Sequence, residues 1–228
     1  MRITLDDQPF QLSLDLPVVA GYGRDDLVVS DANRLAVNFL EAWPAWPGPV
    51  AILAGPVGAG KTHLARVWAE RSGAQFLQTR FDGEQDVPPP GHYVVEDIRQ
   101  GGFSETWLFH LINTVRAGGH SLLLTSRRWP GDWGIALPDL RSRMKLAQLM
   151  ELNEPDDALL TGVLMKLFAD RQLPVDKGVV AYLALRMERS LGAAQTLVAE
   201  LDRLSLETKK PITRNLASQA LRMMGLPV

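Results

Sequence analysis

Eight residues, Gly55-Pro56-Val57-Gly58-Ala59-Gly60-Lys61-Thr62, constrain this chain more than any other segment. They fit the spacing G-x-x-x-x-G-K-[ST], a loop that wraps a nucleotide's phosphate tail. The apolar run Val50-Ala51-Ile52-Leu53-Ala54 before it reads as a buried parallel strand. The residues after it place Leu64, Val67 and Trp68 on one helical face, starting from His63. A strand aims the loop, and a helix N-terminus supplies unpaired N–H groups and the positive end of its dipole. Gly58 and Gly60 let backbone amides close on phosphate. Lys61 is expected to reach the outer phosphates and the Thr62 hydroxyl to ligate Mg²⁺. A fold that needs a strand, a tight loop and a helix in that order is an α/β fold with a parallel sheet.

The rest of the chain extends that pattern. A helix is expected from a cap at Ser30 or Asp31 to about residue 43, with Leu35, Ala36, Phe39 and Leu40 inward, and Pro44, Pro47 and Pro49 break it. Trp43 and Trp46, in that proline-rich turn, are read as packing residues. Further strands are expected at 75–79, 93–97, 122–125 and 146–152, with helices at 104–117 and 138–144 between them. Alternation of strands and helices implies a five-stranded parallel sheet covered on both faces. From residue 153 the pattern turns purely helical, with starts at Pro155, Asp176, about Ser190 and Thr213. The expected division is a tail at 1–17, an α/β domain at 18–152 and a small all-α lid at 153–228.

Composition excludes several classes. With 228 residues, 46% hydrophobic and 22% charged, the chain has ordinary globular composition, and its mean hydropathy is −0.03. No apolar run approaches membrane length. The first residues carry Asp6, Asp7 and Asp15 and lack the apolar core of an export signal. The absence of cysteine excludes disulfides and thiolate metal sites and fits a reducing cytoplasm. A net charge of −2 and no Lys/Arg block argue against gripping DNA unaided, so a nucleic-acid role would run through a partner. Local pairs such as Arg127-Arg128 read as solvated surface.

Other residues extend the phosphate-site reading. Glu96 and Asp97 end the strand at 93–97, where one acid orients Mg²⁺ and a second polarises the attacking water. Two registers are open. Glu96 on the metal leaves Asp97 for the water, the preferred assignment; Asp97 on the metal leaves Ile98 and no base. Thr125 and Ser126 end the fourth strand, expected between the phosphate-loop strand and the acidic strand. There a hydroxyl either hydrogen-bonds phosphate or water, or merely caps the strand. Arg143, in the short helix at 138–144, is positioned to point into a neighbouring subunit's nucleotide as an arginine finger, with Arg141 as the alternative bearer. Arg189, at the head of a lid helix, would reach phosphate within the same chain. His63 and His110 have no metal-ligand spacing, and packing is expected for both.

Several runs together resemble a known group. Asn33-Arg34-Leu35-Ala36, Gly60-Lys61-Thr62-His63-Leu64, the acidic strand and Asp139-Leu140-Arg141-Ser142-Arg143 resemble the AAA+ module of the replication initiator DnaA. The short length points to the Hda family, a truncated relative of DnaA. Gln11-Leu12-Ser13-Leu14-Asp15-Leu16 is similar to the peptide by which such proteins bind the DNA polymerase sliding clamp. An extended peptide donates backbone hydrogen bonds while alternate side chains fill pockets, with Gln11 as anchor and Leu12, Leu14 and Leu16 in the contact.

The resemblance implies a regulator that binds ADP or ATP, meets DNA only through the clamp, and lends Arg143 to the ATP site of DnaA, with self-association left open. It departs from DnaA in two places. Residues 80–91 are too short and proline-broken for DnaA's single-strand-handling insertion, and Glu96 stands where Asp is usual, which puts unaided hydrolysis in doubt. A rival expectation is a helicase-loading ATPase that works by its own hydrolysis.

Overall fold

Strand β1 (Val50–Ala54) is buried at all five positions, and its alternating side chains feed two different cores. Val50 and Ile52 point to one face of the sheet, Ala51 and Leu53 to the other. The computed structural model describes residues 27–78, 86–99 and 101–227. Around β1 lie β2 (Gln75–Leu77), β3 (Tyr93–Ile98), β4 (Leu122–Ser126) and β5 (Gln148–Glu151), all parallel, in the order β2-β3-β4-β1-β5. β4 therefore lies between the phosphate-loop strand and the acidic strand, as the sequence led us to expect.

Helices α1 (Arg34–Glu41) and α2 (Lys61–Ser72) cover one face, where Trp68, Leu64 and Ala65 pack on Val94, Leu123 and Leu53. Trp46 stacks on Phe39 at 4.9 Å and on Trp68 at 5.1 Å between ring centroids, fixing α1 against α2. Helices α3 (Glu105–Ala117) and α4 (Pro138–Leu146), with a short 3₁₀ turn (Pro130–Trp133), cover the other face. There Leu108, Leu111 and Ile112 meet Ile52, Val95, Leu122 and Leu124. Truncating such a side chain to alanine costs about 2–5 kcal/mol.

Helices α5 (Asp157–Asp170), α6 (Lys177–Ala184), α7 (Leu191–Thr208) and α8 (Arg214–Met223) share a separate core built on Leu164, Phe168, Leu183, Leu197, Leu201 and Leu221. Their starts are chemically explicit. Asp156, Asp176, Ser190 and Thr213 each accept an N–H from the first turn, satisfying donors that the helix cannot. Among the described residues no helix is long and apolar enough to cross a membrane.

The structure corrects four local expectations. Asn33, not Ser30 or Asp31, precedes α1, and its side chain accepts from Ser30 N–H and donates to Val28 O instead of capping the helix. The buried face of α1 is also rotated from the expected one: Val37 faces inward with Ala36 and Leu40, and Leu35 is 76% exposed, because the adjacent apolar residues 35–37 satisfy the helical period in either rotation. β2 ends at Leu77 rather than 79. The segment at 146–152 begins too early, because α4 runs on through Lys145 and Leu146, which is 78% exposed, and β5 starts at Gln148.

Candidate nucleotide site

The loop between β1 and α2 bends through left-handed backbone at Gly58 (φ 80°) and Gly60 (φ 96°), which glycine adopts without steric cost. Gly60 then hands the chain to α2, whose first residues are Lys61 and Thr62. The Lys61 ammonium donates to the loop's own carbonyls, Gly55 O at 2.7 Å and Pro56 O at 2.6 Å. Burial holds its pKa below the ordinary lysine value, the Arg127 charge pushes it further down, and Asp97 partly offsets both. Thr62 is exposed on the first turn of α2, Ala59 is buried against the core and Val57 faces outward.

The helical unit closes on this loop. Leu191 N–H, at the start of α7, donates to Gly58 O at 3.0 Å. A Cβ on Gly58 would stand 2.3 Å from Ser190 Oγ and 3.0 Å from Ser190 Cα, so only glycine fits. Beside the contact lies a pocket of about 80 Å³. Leu27, Val28 and Asn33 form one wall, Gly60, His63 and Leu64 the floor, and Leu159, Val163, Leu167 and Gln195 the helical wall. Mostly apolar walls with a few polar groups suit a flat heteroaromatic ring. Asp156 fastens the two walls, because it caps α5 through Leu159 N–H at 2.7 Å and accepts Ala32 N–H at 3.2 Å.

The two acids ending β3 have different surroundings. Val94 faces the α2 side, so Glu96, two residues on, shares that face. Its Oε1 is buried and has no hydrogen-bond partner among the described residues. A buried anionic oxygen is costly when unpartnered, and it fits a hard divalent cation held with the Thr62 hydroxyl and substrate oxygens, the usual manner of Mg²⁺. No cluster of three or more acidic or imidazole ligands exists among the described residues.

Asp97 sits in a β-bulge, where the register with β4 shifts between Val95 and Ile98. Its φ is 53°, its N–H donates to Thr125 Oγ1 at 3.0 Å, and its carboxylate is paired with Arg127. Thr125 is buried and pins this bulge. Ser126 organises the following turn: its hydroxyl donates to Ile98 O and accepts from Trp133 Nε1 and Arg128 N.

The arginines singled out in the sequence separate by partner. Arg141 donates twice to Ile135 O, through Nε at 3.2 Å and a terminal nitrogen at 2.5 Å. Arg189 donates to Pro155 O and Asp157, and no contact among the described residues brings it to the phosphate loop. Arg143 is half-buried, with its guanidinium over the Phe109 ring at 4.8 Å. His63 lines the pocket, and His110 is exposed beside Phe109. The peptide Gln11, Leu12, Leu14 and Leu16 lies outside the described residues.

Sequence reading missed two groups. Arg127 is exposed as expected, but its fork on Asp97 was not foreseen, since nothing local marks a residue whose partner is 30 positions away. The helical wall of the pocket was hidden because Leu159, Val163 and Leu167, spaced i, i+4, i+8, read equally well as core.

No family model matches this chain. It is 24% identical over 209 residues to an uncharacterized protein of Haemophilus influenzae, covering 84% of this chain and 87% of that protein. It is 23% identical over 240 residues to the chromosomal replication initiator protein DnaA of Flavobacterium psychrophilum, covering 92% of this chain and 50% of that protein. The chain spans about half the length of the DnaA relatives it matches. Among solved structures, domain III of Thermotoga maritima DnaA superposes with a TM-score of 0.73 at 18% identity, covering 88% of this chain and 95% of that one. AMPPCP-bound DnaA of Aquifex aeolicus gives 0.62 at 19% identity, covering 81% and 65%. The fold is that of the AAA+ P-loop NTPases, and the sequence is homologous to DnaA.

Proposed function

We propose that this chain is a replication-linked AAA+ regulator that holds ADP or ATP with Mg²⁺ and accelerates hydrolysis of ATP bound to DnaA. Gly55 to Thr62 would hold the phosphates and the pocket beside His63 the base, with Glu96 and Thr62 on the metal. The chain would divide into an α/β domain at 18–152 and a lid at 153–228. Recruitment would come from the Gln11–Leu16 peptide on the sliding clamp, with DNA met only through that clamp, in the cytoplasm.

The trans role rests on one observation. Of the three arginines singled out, Arg141 is tied to a carbonyl and Arg189 to a carbonyl and a carboxylate, whereas Arg143 has an aromatic shelf and no acid or carbonyl partner among the described residues. Leaving Phe109 for a neighbouring phosphate forfeits only a half-buried cation–π contact of about 0.5–2 kcal/mol. A finger of this kind is worth roughly 10³–10⁵ in rate.

The test is a reconstitution of DnaA–ATP with clamp-loaded DNA and this chain. Gln11→Ala should lose stimulation by losing clamp recruitment, and Arg143→Ala should lose it with recruitment intact. Arg143→Ala matching the wild type would sink the trans mechanism and leave the rival, a helicase-loading ATPase driven by its own turnover.

A further inference from the structure

We propose that Arg127 is a restraint on Asp97 that keeps this chain's own nucleotide from being hydrolysed. The inference rests on reading the loop at 55–62 as a nucleotide site, and it concerns what the second strand-end acid does there.

The geometry is a fork. Arg127 Nε donates to Asp97 Oδ1 at 3.0 Å and a terminal nitrogen donates to Oδ2 at 3.3 Å, so both carboxylate oxygens are engaged. Asp97 is presented to this fork by the bulge in β3, which Thr125 Oγ1 pins through the Asp97 N–H. Arg127 follows β4 directly. Two neighbouring strand ends therefore bring acid and cation together beside the phosphate loop. The field of the pair reaches Lys61, whose proton affinity Arg127 lowers and Asp97 raises.

A water-activating base must accept a proton. In the step at issue the water oxygen bonds to the terminal phosphorus and the bond from that phosphorus to its bridging oxygen breaks. The electron pair leaves with ADP, and the water's proton passes to the Asp97 carboxylate. The fork takes one lone-pair site on each oxygen and fixes the direction in which the carboxylate faces, so Asp97 must turn out of the fork to present those sites to a water. The pair is not a structural strut, because its side chains are 57% and 43% exposed, a setting in which ion pairs add little stability. Its consequence is chemical: it removes the base while leaving the binding loop and the pocket as they are.

The experiment compares the isolated wild-type chain with Arg127→Gln, Arg127→Lys and Arg127→Gln/Asp97→Asn. It reads single-turnover ATP hydrolysis and the affinities of ATP and ADP by displacement of a fluorescent nucleotide. Arg127→Gln should raise hydrolysis about fivefold, and Arg127→Lys, a single-pronged cation, should fall between. The double variant should lose the gain, and ADP affinity should stay within about threefold throughout. A gain that requires the Asp97 carboxylate is not what loss of a merely structural contact produces. Equal or slower hydrolysis by Arg127→Gln with ADP still bound overturns the restraint alone. A selective loss of ATP affinity in that variant makes Arg127 a phosphate ligand and also overturns it. A wild-type chain that binds neither nucleotide removes the site itself.

Discussion

Leu191 N–H donates to Gly58 O at 3.0 Å, so the first residue of α7 is bonded directly to the phosphate loop. Any ligand that reshapes the loop acts on the helical unit through that bond, and movement of the helices acts back on the loop. The coupling needs no intermediary side chain.

Gly58→Ala tests the coupling. The added methyl meets Ser190 Oγ and Cβ, and the positive φ at this position disfavours any side chain. Nucleotide affinity should drop at least about tenfold, the equivalent of about 1.4 kcal/mol, with a small loss of thermal stability. Combining it with Ser190→Gly should restore part of the affinity, as titration with a fluorescent nucleotide would show. An unchanged affinity in the single variant would mean that loop and helices are not coupled.

Lys61 gives the site an alkaline limit. Its pKa lies below the ordinary lysine value, so the ammonium is lost at a lower pH than in an exposed lysine. Phosphate affinity should therefore weaken as pH rises through that lowered pKa. Arg127→Gln should move the decline to higher pH, since the Arg127 charge is the second cause of the shift after burial. Lys61→Ala should cost about 10- to 100-fold in affinity at neutral pH. Isothermal titrations at a series of pH values measure all three effects.

Asp156 joins the two walls of the pocket. Burial opposes its charge, but hydrogen bonds from Leu159, Ser30, Ala32 and Ala158 outweigh it and hold the carboxyl below the usual range. The sign follows from linkage: this stability is fully present above the unfolded carboxylate pKa, about 3.9, and is lost as pH falls through the lowered folded value. At neutral pH, Asp156→Ala removes a helix cap and a tie to Ala32, and should destabilise by about 1–2 kcal/mol. Urea unfolding at pH 7 checks it.

His92 should make the chain acid-sensitive in a milder range. It accepts Ser121 N–H on Nδ1 at 3.0 Å and packs edge-on against Trp43, Trp68 and His120. Burial lowers its pKa first, and the neighbouring His120 lowers it further. The unfolded chain then binds more protons below about pH 6.5, so stability is complete above that value and declines as pH falls through the imidazole range. His120→Asn should flatten the slope of unfolding midpoint against pH between about 7.5 and 5.5. An unaltered slope would remove His120 as a cause.

Much of this was legible in the amino acids, for reasons particular to each element. β1 and residues 122–124 of β4 are apolar runs buried on both faces, and the helix caps Asp176, Ser190 and Thr213 announce themselves chemically, whereas the α5 cap is Asp156 rather than the expected start at Pro155. The face of α1 was not legible, because Leu35, Ala36 and Val37 are adjacent apolar residues and two rotations satisfy the same period. Asp97 in left-handed backbone was hidden too, since a bulge is set by pairing with β4 rather than by the residues of β3. The forks and straps of the site, Arg127 on Asp97 and Ala32 on Asp156, join positions 30 and 124 residues apart. Such partners exist only once the chain is folded.

The indole of Trp46 lies nearly flat on Trp68, at an interplanar angle of 17°, and Trp68 belongs to the helix that begins with Lys61 and Thr62. Overlapping indoles couple their electronic transitions, and the coupling varies steeply with spacing and tilt. The chain therefore carries a built-in optical gauge, readable by near-ultraviolet circular dichroism without any dye, whose signal changes whenever the phosphate-facing helix shifts against its neighbour.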